Sequence, residues 1–211
     1  HAAHADRLVN DVCQILSDVH SRRNRDAPLA PVILSGVSWG GKLAAVVCAR
    51  RPELVDAMVL QTPGICARIR PSWHQRWRLH LAGWLGIDRK LVSIPLDDPA
   101  LFTGEQEWRD FIRNDRSSLR EATVSFLRAS VDLDDEVKSV PETIACPTLM
   151  MLAGQDEIID NEQSHDWFQR LRNPLRKIIE YPEAHHTLEF VPNRGQFIRD
   201  LLYWLAVIPA R

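Results

Sequence analysis

Residues 36–41 read Gly-Val-Ser-Trp-Gly-Gly and set Ser38 between two contrasting stretches. Before it, Pro31 to Gly36 is a short apolar run, the pattern of a strand buried on both faces. After it, Lys42 to Arg51 is an Ala/Val-rich helix pattern ended by Pro52. A serine on a sharp strand-to-helix turn has its hydroxyl exposed at the carboxyl end of the strand. The helix N-terminus there offers positive partial charge, and the backbone N–H of Trp39 is placed to donate to an oxyanion. Such a turn needs small neighbours, which Gly36 and Gly40 supply. An ordinary turn with Ser38 as a helix cap is the plainer alternative.

A serine nucleophile needs a base, and the base needs an acid to orient it. Asp156 follows an apolar run, Pro147 to Gly154, that reads as a buried strand ending in a turn. His185 and His186 follow a second strand-like run, Leu175 to Tyr181. The three roles therefore fall in the order Ser, Asp, His, each after a predicted strand. Glu157 and Asp160 compete with Asp156, but Asp160 is better explained as a helix N-cap because Gln163 stands three residues on. His74, His80 and His165 lie on predicted helices without metal-ligand spacing and read as surface or packing residues.

The elements around these residues alternate. Residues 5–20 carry Leu8, Val9, Val12, Ile15, Leu16 and Val19 at helical spacing, and 21–31 is a polar connector. Val55 to Gln61 is a second buried strand. Between residues 65 and 140 strand-like runs largely vanish. Trp73, Trp77, Leu81 and Trp84 recur at near-helical spacing, Thr103 to Gln106 looks like a capping box for a helix to about Asn114, and 118–130 is another helix. The α/β rhythm then resumes, with helices from Asp160 to Leu171 and from Phe190 to Val207. Strands separated by helices predict right-handed crossovers and a mostly parallel sheet. The fold class is α/β: a core over 1–64 and 141–211, interrupted by a helical insertion over 65–140.

The 211 residues carry a formal net charge of −2, which leaves no basic excess for binding nucleic acid. No apolar run approaches the length of a membrane span, and residues 1–10 lack the apolar core of a signal peptide. Cys13, Cys48, Cys66 and Cys146 are widely spaced among apolar neighbours, the pattern of buried free thiols in a reducing compartment, so a cytoplasmic location is expected. The chain has no initiator Met, and His1 opens directly into the first helical pattern.

Gly36 to Gly41, Gly154 to Asp160 and Ala184 to Glu189 resemble the three motifs of the α/β-hydrolase superfamily. They are most similar to its monoglyceride lipase, lysophospholipase and serine aminopeptidase-like branch, over about residues 5–206. The resemblance implies Ser38 as nucleophile, Asp156 as orienting acid and a histidine in a Gly-Ala-x-His pattern. That pattern aligns with Glu183-Ala184-His185-His186 and selects His186, with Glu183 departing from the first Gly. It also implies that 65–140 is a helical cap over the site, and that no metal or organic cofactor is required. The superfamily's sheet has eight strands, and the helix at 5–20 resembles the one just before the nucleophile strand. The first four strands, and the upstream loop with the second oxyanion donor, are therefore expected to lie outside this sequence. Losing one such donor costs about 10²–10³ in rate, and the strand at 31–36 would become an unpaired edge.

The function that follows is hydrolysis of a small-molecule acyl substrate through an acyl-enzyme, a carboxylic ester being favoured. Trp73, Trp77, Trp84 and Trp108, with Leu81, Leu91, Phe102 and Phe111, would in part pack on the sheet and in part line an acyl-chain pocket, which favours a lipid-like monoacyl substrate. An amidase, peptidase or thioesterase of the same fold is one rival, since fold alone does not select the bond cleaved. A fold-retaining, non-catalytic binding protein or an inactive fragment is another. The oligomeric state is not written in the sequence.

Overall fold

The structure, a computed structural model, describes residues 4–209; His1, where the helical pattern opens, lies outside them. Helix α1 (Ala5–Asp26) buries Val9, Cys13 and Leu16 at three- and four-residue spacing. It runs well past the expected end at residue 20, through the polar stretch read as a connector, and closes on Arg23 and Arg25, which suit the negative end of a helix. Strand β1 (Ile33–Val37) leads into α2 (Trp39–Arg50), and β2 (Ala57–Gln61) follows. The middle of the chain holds α3 (Trp73–Trp84), β3 (Leu91–Ser93), α4 (Gln106–Asn114), β4 (Glu121–Thr123) and α5 (Val124–Ser139). The last elements are β5 (Thr148–Ala153), α6 (Asn161–Gln169), β6 (Arg176–Tyr181) and α7 (Arg194–Ala206).

Four strands form a parallel sheet in the order β1-β2-β5-β6. Every residue of the two central strands, β2 and β5, is buried, which explains their unbroken apolar runs. Side chains alternate between two cores. Met58, Leu60, Met150 and Leu152 face α1, α2, α5 and α6, whereas Ala57, Val59, Leu149 and Met151 face α7 through Phe197 and Trp204. β1 is an edge strand with β2 as its neighbour. All four cysteines are free thiols, three of them buried.

The register matters for the site. Val37 pairs with Gln61, Gln61 with Met151, and Ala153 with Tyr181, so the carboxyl ends of all four strands finish at one rim of the sheet. Ligand and catalytic groups in open α/β sheets collect at that rim.

The middle of the chain departs most from the sequence-based expectation. Strands β3 and β4 pair antiparallel as a small separate sheet where helix alone was expected. The helix expected over 118–130 begins six residues later, where Thr123 accepts the Phe126 N–H at 3.3 Å, and continues to Ser139. Thr103 makes no capping box; its hydroxyl accepts the Glu105 N–H at 3.1 Å in the turn before α4. α7 starts four residues later than expected, because Leu188–Phe190 is a 3₁₀ turn and Pro192 precedes the helix. Trp73, Trp77 and Trp84 do not enter a core; α3 turns all three outward.

Candidate active site

β1 ends one residue before Ser38, whose backbone is forced to φ 48° and ψ −122°, in the positive-φ half of the map that non-glycine residues avoid. Hydrogen bonds with β2 and with the loop that follows it hold it there. The Ser38 N–H donates to the Gln61 carbonyl at 3.0 Å, and the Gly64 N–H donates to the Ser38 carbonyl at 2.7 Å. The turn is also crowded. A Cβ on Gly36 would lie 2.7 Å from the Gly40 carbonyl oxygen, and one on Gly41 would overlap Pro63. A Cβ on Gly40 would meet nothing within 4 Å. The small residues that the turn demands are therefore Gly36 and Gly41, not Gly36 and Gly40. Trp39 opens α2, so its N–H has no acceptor within the helix and is available beside the Ser38 hydroxyl.

Asp156 follows β5 and is held from two sides. Its Oδ1 accepts the N–H groups of Ile158 at 2.8 Å and Ile159 at 2.9 Å. Its Oδ2 lies 2.8 Å from His186 Nδ1. The loop bearing it is tied to the loop bearing the histidine, for the Gln155 N–H donates to the Ala184 carbonyl at 2.8 Å. His186 is 3% exposed, and its Nε2 lies 2.8 Å from Ser38 Oγ. A carboxylate only accepts, so Nδ1 carries the proton and donates to Asp156. Nε2 of the neutral ring then accepts the Ser38 hydroxyl. The structure thus brings Ser38, His186 and Asp156 into one hydrogen-bonded row.

The competing residues stand elsewhere. Asp160 caps α6, accepting the Gln163 N–H at 3.1 Å, and Glu157 is exposed. His185 packs by Gly104, at the turn before α4. His74 and His80 are exposed, and His165, half-buried, pairs with Glu180. Among the described residues, no cluster of His, Cys, Asp or Glu is arranged to hold a metal.

Two contacts were not read from the sequence. Phe102 sets its ring edge-on to His186, with centroids 5.9 Å apart, and its carbonyl accepts the Thr187 N–H at 2.9 Å. Nothing in the local pattern distinguishes Phe102 from other apolar residues. The second contact centres on Lys42, which is buried in α2. Its ammonium donates to Ser130 Oγ at 2.8 Å and is paired with Asp134, both on α5. The Trp39 indole N–H donates to the same Ser130 oxygen at 2.9 Å, and its ring lies 5.0 Å from that of Phe126. Burial pushes the Lys42 ammonium below its ordinary pKa, and Asp134 works against that shift. A lone lysine in the otherwise small and apolar run from Gly40 to Ala49 was a visible signal of this pair.

Comparison with known proteins identifies the family and the fold. A family model described as "Serine aminopeptidase, S33" matches residues 1–192. Lysophospholipase L2 of Escherichia coli (strain K12) is 25% identical over 194 residues, covering 85% of this chain and 56% of the relative. The monoglyceride lipase of Mus musculus is 22% identical over 182 residues, covering 86% of this chain and 58% of that protein. The chain therefore spans a little over half the length of these relatives. The monoacylglycerol lipase of Paleococcus ferrophilus superposes with a TM-score of 0.80 over 96% of this chain and 75% of its own, at 20% identity. A soluble variant of monoglyceride lipase from Saccharomyces cerevisiae gives 0.77 over 98% and 69%, at 16% identity. At these identities the superpositions speak for the fold. No described helix is long and apolar enough to cross a membrane. The chain belongs to the serine aminopeptidase S33 family, in the lysophospholipase- and monoglyceride-lipase-like branch of the α/β-hydrolases.

Proposed function

We propose that this chain carries the nucleophile, base and acid of a serine hydrolase that cleaves a carboxylic ester of a lipid-like monoacyl substrate. The observation that carries the proposal is the row Ser38 Oγ, His186 Nε2, His186 Nδ1 and Asp156 Oδ2, with both links at 2.8 Å. His186 Nε2 takes the Ser38 proton as Oγ bonds to the carbonyl carbon. The carbonyl oxygen becomes an oxyanion, and the Trp39 N–H is the donor assigned to it. The alcohol leaves with the proton from Nε2, and the acyl group stays on Ser38. Water then gives a proton to Nε2 and attacks the acyl carbon; the acid departs and Ser38 recovers its hydrogen. Asp156 keeps the Nδ1 tautomer and stabilises the imidazolium in each half. No step calls for a metal or organic cofactor.

Residues 65–140 act in this reading as a cap on a core formed by 1–64 and 141–211. Their contact with the site through Phe102 and Phe126 supports that role. The monoacyl preference draws on the names of the relatives above and on the apolar surface that Trp39, Phe102 and Phe126 present near Ser38. The four free thiols favour the cytoplasm as the location.

A fluorophosphonate probe tests the reaction, and p-nitrophenyl esters of rising chain length test the substrate. Ser38-dependent labelling and faster turnover of medium or long acyl chains are expected. If the intact protein fails to label, or Ser38→Ala labels equally, the hydrolase reading falls. A preference for acetyl esters, or for aminoacyl p-nitroanilides, overturns the monoacyl substrate.

A further inference from the structure

We infer that Phe102 is a positioning residue for His186, restraining the imidazole through the half of the reaction in which Ser38 no longer does. The role rests on the hydrolase reading; the packing behind it does not. The loop after β6 is gripped from two sides. Ala184 and Leu188 sink into the core with Phe197 and Trp204 of α7. The residues between and beyond them face the block between β2 and β5. The Phe102 ring stands edge-on to His186, with centroids 5.9 Å apart and planes at 72°. The Phe102 carbonyl accepts the Thr187 N–H at 2.9 Å. The His185 ring lies against Gly104, where a Cβ would come within 2.9 Å of its Cε1. Phe190 stacks face to face on Trp108, with centroids 4.3 Å apart and planes at 5°, and Phe111 stands edge-on to both. The support is itself fixed. Thr103 is buried, and its carbonyl accepts Arg109 Nε at 2.9 Å, which ties the turn after Phe102 to α4.

Asp156 alone does not fix the ring. Its hydrogen bond at Nδ1 sets one atom of the imidazole, and the ring can still rock about it. Before the attack, the Ser38 hydroxyl sets a second point at Nε2, 2.8 Å away. Once Oγ carries the acyl group it has no hydrogen to donate, and that point is lost. Nε2 must then hold a water in line with the acyl carbon, and a small tilt of the ring is enough to spoil that line. The core side of the loop sets the path of the backbone. The Phe102 ring, packed against the imidazole, is a restraint on tilt that stays in place. Edge-on aromatic pairs favour one mutual orientation, which a leucine of similar bulk does not impose. Phe102 should therefore matter more to release of the acyl group than to attack by Ser38.

Turnover of p-nitrophenyl esters by Phe102→Leu and Phe102→Tyr, both folded by circular dichroism, tests the role. In Phe102→Leu, kcat should fall about tenfold or more on the acetyl and octanoyl esters alike. p-Nitrophenol should then appear as a burst ahead of a slow steady state, while a fluorophosphonate labels within about threefold of the parent rate. Phe102→Tyr, which keeps the ring, should recover turnover. A loss confined to the octanoyl ester, or carried by KM, would make Phe102 a wall of the acyl pocket and overturn the inference. So would labelling and kcat that fall together, or turnover equal to the parent's. A second measurement needs no turnover. In Ser38→Ala the Nε2 partner is gone, and the low-field proton NMR signal of His186 Nδ1–H, assigned by its absence in His186→Gln, should remain. It should broaden or vanish when Phe102→Leu is added. A signal unchanged by Phe102→Leu, or missing from Ser38→Ala itself, overturns the positioning role. If the parent fails to label while the signal behaves as expected, the hydrolase reading falls and the restraint on the ring stands.

Discussion

Lys42 and Asp134 form a buried ion pair between α2, which begins at the nucleophile turn, and α5, in the middle of the chain. The lysine side chain is 6% exposed and the aspartate 19%, so water screens the pair little. The Ser130 hydroxyl accepts from both Lys42 and the Trp39 indole, filling both its lone pairs. Through this cluster the residue assigned to the oxyanion is tied to the proposed cap.

Removing one partner of such a pair strands the other charge. Asp134→Ala should therefore cost about 3 kcal/mol of unfolding free energy. Lys42→Met combined with Asp134→Leu should recover most of it, because an apolar pair of similar volume carries no desolvation penalty. Urea unfolding of Asp134→Ala, of the singles Lys42→Met and Asp134→Leu, and of their double variant measures the cycle. As a control, Asp11→Ala, which breaks the exposed Arg7 pair, should cost well under about 1 kcal/mol. If Asp134→Ala costs no more than that control, the pair does not hold the two helices together.

The three site residues should not lose activity equally. Ser38→Ala removes the attacking oxygen and should abolish probe labelling. Asp156→Asn keeps the shape but offers His186 an amide in place of the carboxylate, which favours the wrong tautomer. A fall of about 10⁴ in kcat is expected, with KM little changed. Equal activity in Asp156→Asn and the parent, measured on a p-nitrophenyl ester, would remove Asp156 from its assigned role.

The glycines of the turn divide by contact. Gly36→Ala would bring a methyl within 2.7 Å of the Gly40 carbonyl oxygen, and Gly41→Ala would drive one into Pro63. Both should yield protein that is poorly folded or unlabelled by the probe. Gly40→Ala points into open space on the first turn of α2, and should keep labelling and gain up to about 1 kcal/mol of stability. Thermal melts and probe labelling of the three variants decide the point, and a damaged Gly40→Ala with an intact Gly41→Ala would contradict the geometry.

Tyr181 supplies a pH signature. Burial, and secondarily its hydrogen bond to Asp200 at 3.0 Å, raise its phenol above the ordinary value of about 10. A group with a raised folded pKa contributes stability that is complete below the unfolded pKa and is lost as pH rises through the folded one. The parent should thus be more stable than Tyr181→Phe at pH 8, with the difference shrinking above about pH 10. Urea midpoints of both proteins across that range check the sign. A gap that widens with pH would mean the phenol is stabilised in its ionised form.

Much of the core was legible before any coordinates. β2 and β5 announce themselves as unbroken apolar runs because both their faces are covered, and α1 by its three- and four-residue spacing. The ends of elements were less visible. α1 overran its apolar pattern because polar, helix-favouring residues extend a helix at the surface without any burial to mark it. The short pair β3 and β4 escaped notice because three-residue strands have no period to detect and gain their hydrogen bonds from a partner some thirty residues away.

Sequence alone determined the residue types and their order: a serine between a buried strand and a helix, then an acid, then a histidine, each after a strand. Local propensity and periodicity suffice for that, because they depend on neighbours a few residues apart. Tertiary structure decided what depends on distant neighbours. Register at the sheet rim brought Ser38, His186 and Asp156 together, although Ser38 and His186 stand 148 residues apart in the chain. Packing against Pro63 decided that Gly41, not Gly40, is the constrained glycine. The α3–α5 contact decided which side of α3 is covered, and so turned three tryptophans of a seemingly core-forming helix out to solvent. A helix's apolar stripe shows that something must cover it; only the arrangement of its neighbours shows whether that cover is the protein itself.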